Sequence, residues 1–378
     1  MVVVVVVVMP VVVDVVELVA VEVVVEANMN TKPTNMLLQW HITERCNLRC
    51  SHCYQDNYQR NELDFASLLN ILEQFKQLLD FFSQNQEQQI KAHITVTGGE
   101  PFVRNDFINL LEILASHKKL FSFAILTNGA FIDNSTAQIL HKLNPAFVQV
   151  SIEGTQATHD SIRGKGNFIQ TVAAIKRLRD NQIRTMISFT AHRKNFREFK
   201  DVAKLGQKLH VNKVWSDRLI PWGSGAKEQV MSQAETKEFF EIMSQAKNRI
   251  TWFNRTEIAM HRALQFLVAG GRPYQCTAGN NLLTVQANGD LYPCRRLPIK
   301  IGNLTENNLL ELYNTSNILQ KLRQHTVSDG CQQCHFARVC RGGLRCLSYA
   351  VSGDPFKADP GCWLKNDKKI ISALTPKR

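Results

Sequence analysis

A regular alternation of short apolar runs and helical patterns is the feature that most constrains the fold of this chain. Helical segments, such as DFASLLNILEQFKQLLDFF (64–82) behind a capping Asp64, have apolar residues at a spacing of three to four. The predicted strands are LLQWHIT (37–43), AHITVTGG (92–99), FSFAILTNG (121–129), FVQVSIEG (147–154), RTMISFTA (184–191) and KVWSDRLIP (213–221). We interpret these strands as β-branched throughout rather than alternating, which is typical of a parallel sheet buried on both faces. The sequence therefore predicts an α/β fold built on an open, partial (β/α)6 barrel.

Three cysteines follow the first predicted strand on one short loop, at Cys46, Cys50 and Cys53. Loops at the carboxyl ends of parallel strands are where such folds bind their ligands. Three thiolates can hold a cubane iron–sulfur cluster and leave one iron open to an external chelating ligand. The alternative is a zinc ion whose fourth ligand is His52 or His41. Either reading predicts a metal centre on this loop.

The second predicted strand ends in TGGEP, which supplies Gly98, Gly99 and Glu100. Glycines let the backbone approach a ligand closely, and a carboxylate suits an amino group. Placed after a CxxxCxxC loop, this turn resembles the radical S-adenosylmethionine (SAM) superfamily. The resemblance implies that the open iron binds the amino and carboxylate groups of SAM. It also implies reductive cleavage of SAM to a 5′-deoxyadenosyl radical, which abstracts hydrogen from a substrate.

The same resemblance implies which residues bind the cofactors. The 4Fe–4S cluster would be held by Cys46, Cys50 and Cys53. The residues implied in SAM binding are His52 against adenine, Gly98, Gly99 and Glu100 at the methionyl amine, and Asn128, Ser151, Glu153 and Arg163 near the next strand ends. Turn capping is an alternative role for Asn128 and Glu153, and a surface salt bridge is one for Arg163.

Seven further cysteines lie in the last third of the chain, in the order Cys276, Cys294, Cys331, Cys334, Cys340, Cys346 and Cys362. This order resembles the SPASM extension of radical SAM enzymes, which carries auxiliary 4Fe–4S clusters. The resemblance implies one cluster held by Cys331, Cys334, Cys340 and Cys362, and another held by only three thiolates, from Cys276, Cys294 and Cys346. Three clusters are thus expected in all, and the second auxiliary cluster would keep an open iron. A zinc ribbon at Cys331 and Cys334 is the alternative.

Composition, pattern and the resemblance together imply five segments. They are a valine-rich low-complexity tail at 1–35, a radical SAM core at 36–225, a helical linker at 226–273, a SPASM domain at 274–366 and a tail at 367–378. Because apolar periodicity fades after Tyr274, we expect metal rather than a large apolar core to hold the fourth segment together.

The charge distribution and the use of cysteine restrict the classes of partner and the cellular compartment that we expect. The net charge of +12 is spread along the chain without a basic block, so we expect no nucleic-acid partner. The valine tract is interrupted by acidic residues and by Pro10, and it lacks a basic start, so we expect neither a membrane span nor a secretory signal. Sparse, clustered cysteines predict a reducing, cytoplasmic location.

The resemblance favours a maturase that modifies a residue of a ribosomally made precursor peptide (a RiPP maturase). It implies as partners the precursor peptide, a separate leader-peptide-binding protein, and a reductant such as flavodoxin or ferredoxin. Three alternatives stay open, namely anaerobic sulfatase maturation, porphyrin-type small-molecule chemistry, and a metal-bound module without catalysis. The first is disfavoured because Arg295 and Arg296 stand where that subgroup has an acidic base. Packing explains Asp217, Arg218 and Trp222 as well as substrate contact does, so no catalytic acid or base is assigned.

Overall fold

Six parallel strands follow one another across the centre of the computed structural model. They are β1 (Asn35–His41), β2 (Lys91–Thr97), β3 (Phe121–Thr127), β4 (Phe147–Ser151), β5 (Thr185–Ala191) and β6 (Lys213–Arg218). Each strand pairs in parallel with the next one along the chain. The predicted α/β class with a parallel, barrel-like sheet is therefore confirmed.

The structure describes residues 33–55, 57–58, 62–84, 90–227, 230–248, 255–324 and 326–364. The described residues form one compact unit. The valine-rich segment, except for its last three residues, and the predicted tail at 367–378 lie outside the described residues.

A helix follows each of the first five strands. The helices of this region are α1 (Phe65–Ser83), α2 (Phe107–Ser116), α3 (Asn134–Leu143), α4 (Gln156–Arg163), α5 (Asn167–Asp180) and α6 (Phe199–Lys208). Asp64 caps α1 as predicted, because its carboxylate accepts a hydrogen bond from the Ser67 N–H at 2.8 Å. The sequence pattern does not predict α4, in which only His159 and Ile162 are buried, too few to mark an apolar helix face.

The central strands have one apolar face and one polar face. In β1, Trp40 is buried in the same apolar core as the inner face of α1, whereas Gln39 and His41 lie on the opposite side of the strand. On the polar face, the Trp215 indole N–H of β6 donates to Gln149 Oε1 of β4 at 2.8 Å. The interpretation of these strands as β-branched throughout is therefore wrong, whereas His41 and Gln149 on the polar face are buried, as expected for a sheet covered on both faces. The polar face gives the sheet a side on which a hydrophilic ligand can bind.

Four more strands extend the sheet at its two ends. They are β7 (Glu257–Ile258), β8 (Leu282–Val285), β9 (Asp290–Tyr292) and β10 (Gly302–Asn303), which give the order β10-β9-β8-β1-β2-β3-β4-β5-β6-β7. Leu283, Val285 and Leu291 belong to the same apolar core as β1. The cysteine-rich segment therefore shares a large apolar core with the barrel, contrary to the expectation that metal replaces one. Its strands of two to four residues are too short to show a periodicity in the sequence.

The remaining helices are α7 (Gln233–Asn248), α8 (Phe266–Ala269), α9 (Leu309–Thr315), α10 (Asn317–Arg323), α11 (Ala337–Cys340) and α12 (Arg345–Ser352). The segment expected to be a linker also packs on the barrel, because the buried Phe239 of α7 lies edge-on to Phe199 of α6, with ring centroids 5.9 Å apart. In the part of the chain that the structure describes, no helix is long and apolar enough to cross a membrane. The five segment boundaries stay a prediction.

Candidate active site

The first three cysteines lie together on the loop that leaves β1. The Cys53 N–H donates to the Cys50 carbonyl at 3.1 Å, which closes a turn between the last two thiols. Burial raises the pKa of the Cys46 thiol to about 11, and the charges of Cys50 and Cys53 add to the rise. All ten cysteines of the chain are free of disulfides. The cost that burial imposes is that of ionising these thiols, and the positive charge of the irons in a cluster would offset it, so the residues fit the predicted cluster.

Two glycines hold this loop against the end of β2. A Cβ atom on Gly98 would clash with the Thr43 carbonyl oxygen, and one on Gly99 would clash with that of Arg45. The Gly99 N–H donates to the Thr43 carbonyl at 2.8 Å, so the two backbones lie in direct contact. The close approach that the glycines allow is therefore to the cysteine loop. Their contact with the methionyl amine stays a prediction.

Glu100 is fully buried and turned towards the end of β3. Its carboxylate accepts hydrogen bonds from the Thr127 hydroxyl at 2.8 Å and from the Asn128 N–H at 2.7 Å. Burial raises the pKa of Glu100 to about 7, although these hydrogen bonds oppose the rise. The Asn128 side-chain amide in turn donates to Asn47 Oδ1 of the cysteine loop at 2.8 Å. Glu100 thus positions Asn128 beside the thiols, and a direct bond from its carboxylate to SAM stays a prediction.

Glu153 joins two other predicted residues in a buried group. Its Oε1 lies 2.6 Å from Arg163 Nη2 and 3.3 Å from His52 Nε2, and its Oε2 accepts from the Thr190 N–H at 2.9 Å. Burial alone would raise the pKa of Glu153, but His52 and Arg163 hold it far below its usual range. Arg163 is buried here, so its interpretation as a surface salt bridge is wrong. Ser151 lies next to this group and contacts the Ser188 hydroxyl at 3.4 Å.

The remaining seven cysteines lie in two groups, whose roles as cluster ligands stay a prediction. Burial raises the pKa of Cys346, and the charges of Cys294 and Cys276 raise it further. In the other set, burial raises the pKa of Cys362 to about 11, with contributions from Cys340 and Cys334. Cys331 belongs to this set as well, since its carbonyl accepts from the Cys334 N–H at 3.0 Å and its charge raises the pKa of Cys340.

Among the described residues, no group of three or more His, Cys, Asp or Glu side chains is arranged to hold a single metal ion. Which thiols ligate which cluster therefore stays a prediction.

Two acidic residues that sequence reasoning left aside connect the barrel to the cysteine-rich segment. Asp217 Oδ2, at the end of β6, lies 2.5 Å from Arg296 Nη1 and 3.5 Å from Arg262 Nε. Asp359 binds Arg218 through both carboxylate oxygens. The position of Asp217 and Arg218 at a strand end was the available signal in the sequence. Nothing in the sequence pairs either of them with its partner.

Two known families match parts of the chain that contain the first three cysteines and four of the last seven. The model of the radical SAM superfamily matches residues 40–206, and that of the SPASM iron–sulfur cluster-binding domain matches residues 276–335. The chain is therefore a radical SAM enzyme with a SPASM domain. Its cofactors are S-adenosylmethionine and 4Fe–4S clusters, as predicted.

The chain is similar to proteins that act on different substrates. It is 28% identical over 353 residues to the AdoMet-dependent heme synthase of Nitratidesulfovibrio vulgaris, covering 88% of this chain and 93% of that protein. It is 26% identical over 342 residues to the mycofactocin maturase MftC of Mycolicibacterium smegmatis, covering 86% and 82%. Its fold is similar to that of SuiB from Streptococcus suis bound to S-adenosylmethionine, with a TM-score of 0.69, 18% identity, and 88% and 78% of the two chains covered.

Proposed function

We propose that this enzyme is a peptide maturase that abstracts hydrogen from a residue of a ribosomally made precursor peptide, leading to a cross-link or another post-translational modification. The observation that carries the proposal is the grouping of thiols into one set of three at the end of β1 and two further sets in the SPASM segment. The likeness to a mycofactocin maturase supports the peptide as substrate.

In this proposal the chain positions SAM and the peptide around the loop that carries the first three cysteines. Cys46, Cys50 and Cys53 would hold the cluster that binds SAM and that, when reduced, would supply the electron needed to split SAM into methionine and the 5′-deoxyadenosyl radical. Glu153 fixes the His52 ring and the Arg163 guanidinium beside that loop through a buried ion pair, so that both are oriented before SAM arrives. The protein supplies binding, orientation and exclusion of water, and the cofactor supplies the radical.

The second set of three thiols lies near the first. The pKa of Tyr54, which follows Cys53, is raised by burial to about 12, and both Cys53 and Cys294 contribute to the rise. We infer that Cys276, Cys294 and Cys346 hold a cluster close enough to the substrate to take up an electron from it. Such a cluster would serve net oxidations, which a hydrogen abstraction alone does not complete.

The partners follow from this chemistry. Reductive cleavage requires an electron donor of low potential, for which we propose a flavodoxin or ferredoxin. We also infer that a separate small protein recognises the leader of the precursor peptide. Ten cysteines without a disulfide fit a reducing compartment such as the cytoplasm.

Mass spectrometry of a short peptide encoded beside the gene, co-expressed with the enzyme, tests the proposal. A loss of two mass units is expected for a cross-link, a larger loss for excision, and an unchanged mass with a D-residue for epimerisation. The triple variant Cys46→Ala, Cys50→Ala, Cys53→Ala is the control and should leave the peptide unmodified. A wild-type enzyme that cleaves SAM but alters no such peptide would contradict the proposal.

A second candidate function is oxidation of a tetrapyrrole side chain, which the likeness to heme synthases over nearly the full chain favours. The same preparation, incubated with SAM, a strong reductant and iron coproporphyrin III, separates the two functions. A loss of carboxyl carbon from the porphyrin would favour this second function over the peptide.

A further inference from the structure

Three side chains near the start of the cysteine loop have buried polar atoms without a hydrogen-bond partner among the described residues. These atoms are His41 Nε2, Gln286 Nε2 and Oε1, and Arg295 Nε. Leaving a buried polar group unpaired costs about 1–3 kcal/mol, and native structures tolerate few of them. Several in one place therefore indicate a site whose partner is a ligand.

The three side chains are neighbours. β1 and β8 pair in parallel with Trp40 opposite Val285, so that His41 and Gln286 follow side by side at the same edge of the sheet. The Tyr54 ring connects His41 to Arg295, because it meets the imidazole edge-on at 6.3 Å between centroids and lies 4.3 Å from the guanidinium carbon. Burial, and then the charge of Arg295, lower the pKa of His41 well below its usual range. His41 is therefore a neutral partner.

Arg295 differs from the arginine next to it in having no carboxylate. Arg296 is paired with Asp217 at 2.5 Å, and its charge faces the Cys346 and Cys294 thiols. Arg295, by contrast, forms no ion pair with any residue in the described ranges, and its guanidinium carbon lies over the Tyr54 ring. A partly buried guanidinium with a free edge is the side chain best suited to a planar carboxylate.

Arg295 lies next to members of both sets of three thiols. Arg295 follows Cys294 directly, and the Tyr54 beneath it follows Cys53. A ligand held by Arg295 would therefore lie between the two sets of three thiols. That is the location where a substrate must sit to meet both a radical and an electron acceptor.

We propose that Arg295, Gln286 and His41 form a subsite that binds a carboxylate of the substrate. The inference rests on the proposed function and restricts it to substrates with a carboxylate close to the reacting carbon. Arg295 and the Gln286 amide N–H donate to the carboxylate oxygens, and His41 Nε2 contacts the same group or an adjacent polar atom. The carboxylate belongs either to a peptide, through an acidic side chain or its C-terminus, or to a propionate of a tetrapyrrole.

Equilibrium binding to the anaerobically reconstituted enzyme tests this subsite without turnover. The probes are coproporphyrin III and its tetramethyl ester, and the co-encoded peptide and the same peptide with all carboxyls amidated. In one of the two pairs, porphyrin or peptide, we expect the wild type to bind the acid at least 10-fold more tightly than the neutral form. The pair that shows this preference identifies the source of the carboxylate. We expect Arg295→Met to reduce this preference to less than twofold without weakening the neutral form.

Three further variants keep the test decisive. Gln286→Leu should lower the preference for the acid over the neutral form by several-fold, and Arg295→Lys should retain part of that preference. These two variants test the subsite even if Arg295→Met does not fold. Arg197→Met removes an exposed arginine paired with Glu238 and should change nothing. The proposal is overturned if Arg295→Met keeps the preference, if it weakens both forms equally, or if the wild type distinguishes the acid in neither pair. An enzyme that cleaves SAM yet shows one of these results contradicts the subsite and leaves the proposed function standing.

Discussion

Arg218 and Asp359 form a buried, two-pronged ion pair that fastens the end of β6 to the SPASM segment. Nη1 lies 2.9 Å from Oδ1 and Nη2 lies 2.5 Å from Oδ2, and both side chains are almost completely shielded from solvent. Asp359 also accepts hydrogen bonds from the Leu344 and Gly361 N–H groups. One carboxylate therefore organises the backbone between the last cysteines and anchors it to the barrel.

Removal of the charge of Asp359 should destabilise the protein strongly. Asp359→Asn leaves the Arg218 guanidinium buried without a counter-charge, which costs about 3–5 kcal/mol in free energy of unfolding. The matched control is Arg197→Met, which breaks an equally short but exposed pair with Glu238 and should cost no more than about 1 kcal/mol. Chemical unfolding of the reconstituted proteins measures both. Equal losses in the two variants would contradict the role assigned to the buried pair.

A methyl group on Gly99 should displace the cysteine loop. Because the added Cβ of Gly99→Ala meets the Arg45 carbonyl oxygen, which belongs to the backbone, the loop must move to accommodate it. We expect at least a 10-fold loss of 5′-deoxyadenosine formation and a lower iron content. Gly353→Ala is the control, because its φ of 75° makes alanine strained by about 1–2 kcal/mol while no atom lies within 4 Å of the new Cβ. Normal iron and activity in Gly99→Ala would refute this account of the turn.

His93 makes stability depend on pH. Burial lowers its pKa to about 4, from an unfolded value of about 6.5, so the unfolded chain binds more protons between these values. The neutral ring therefore contributes to the free energy of unfolding above pH 6.5, and this contribution is lost as the pH falls towards 4. The loss is about 2 kcal/mol between pH 7 and pH 5. His93→Gln should remove this part of the acid sensitivity, whereas the exposed His141→Gln should retain it. Unfolding curves at pH 7 and pH 5 measure the difference. Equal losses of unfolding free energy in the wild type and in His93→Gln would disprove the role of His93.

The sequence predicts those parts of the molecule that depend on neighbouring residues or on a family pattern. The six central strands, the Asp64 cap and the first set of three thiols are of this kind. The sequence interpretation missed the polar face of the sheet because it took Gln39 and His41 as part of an apolar run. They alternate with Leu38 and Trp40, which belong to the apolar core.

Contacts between distant parts of the chain could not be predicted. Arg218 and Asp359 are separated by 141 positions, and no local rule pairs them. Arg295 and Arg296 are identical in type and adjacent in sequence, yet one meets a carboxylate and the other does not. Only the folded arrangement of Asp217 and Tyr54 around them creates the difference.

The most direct test of the account is the yield of 5′-deoxyadenosine from SAM under strong reductant, measured together with iron per chain. We predict that the reconstituted wild type with its full complement of about twelve irons forms this product. The triple variant Cys46→Ala, Cys50→Ala, Cys53→Ala should form none while it retains the roughly eight irons of the SPASM segment. A fully loaded wild type that leaves SAM intact, or a triple variant that cleaves SAM equally well, would contradict the assignment of the open iron to this loop.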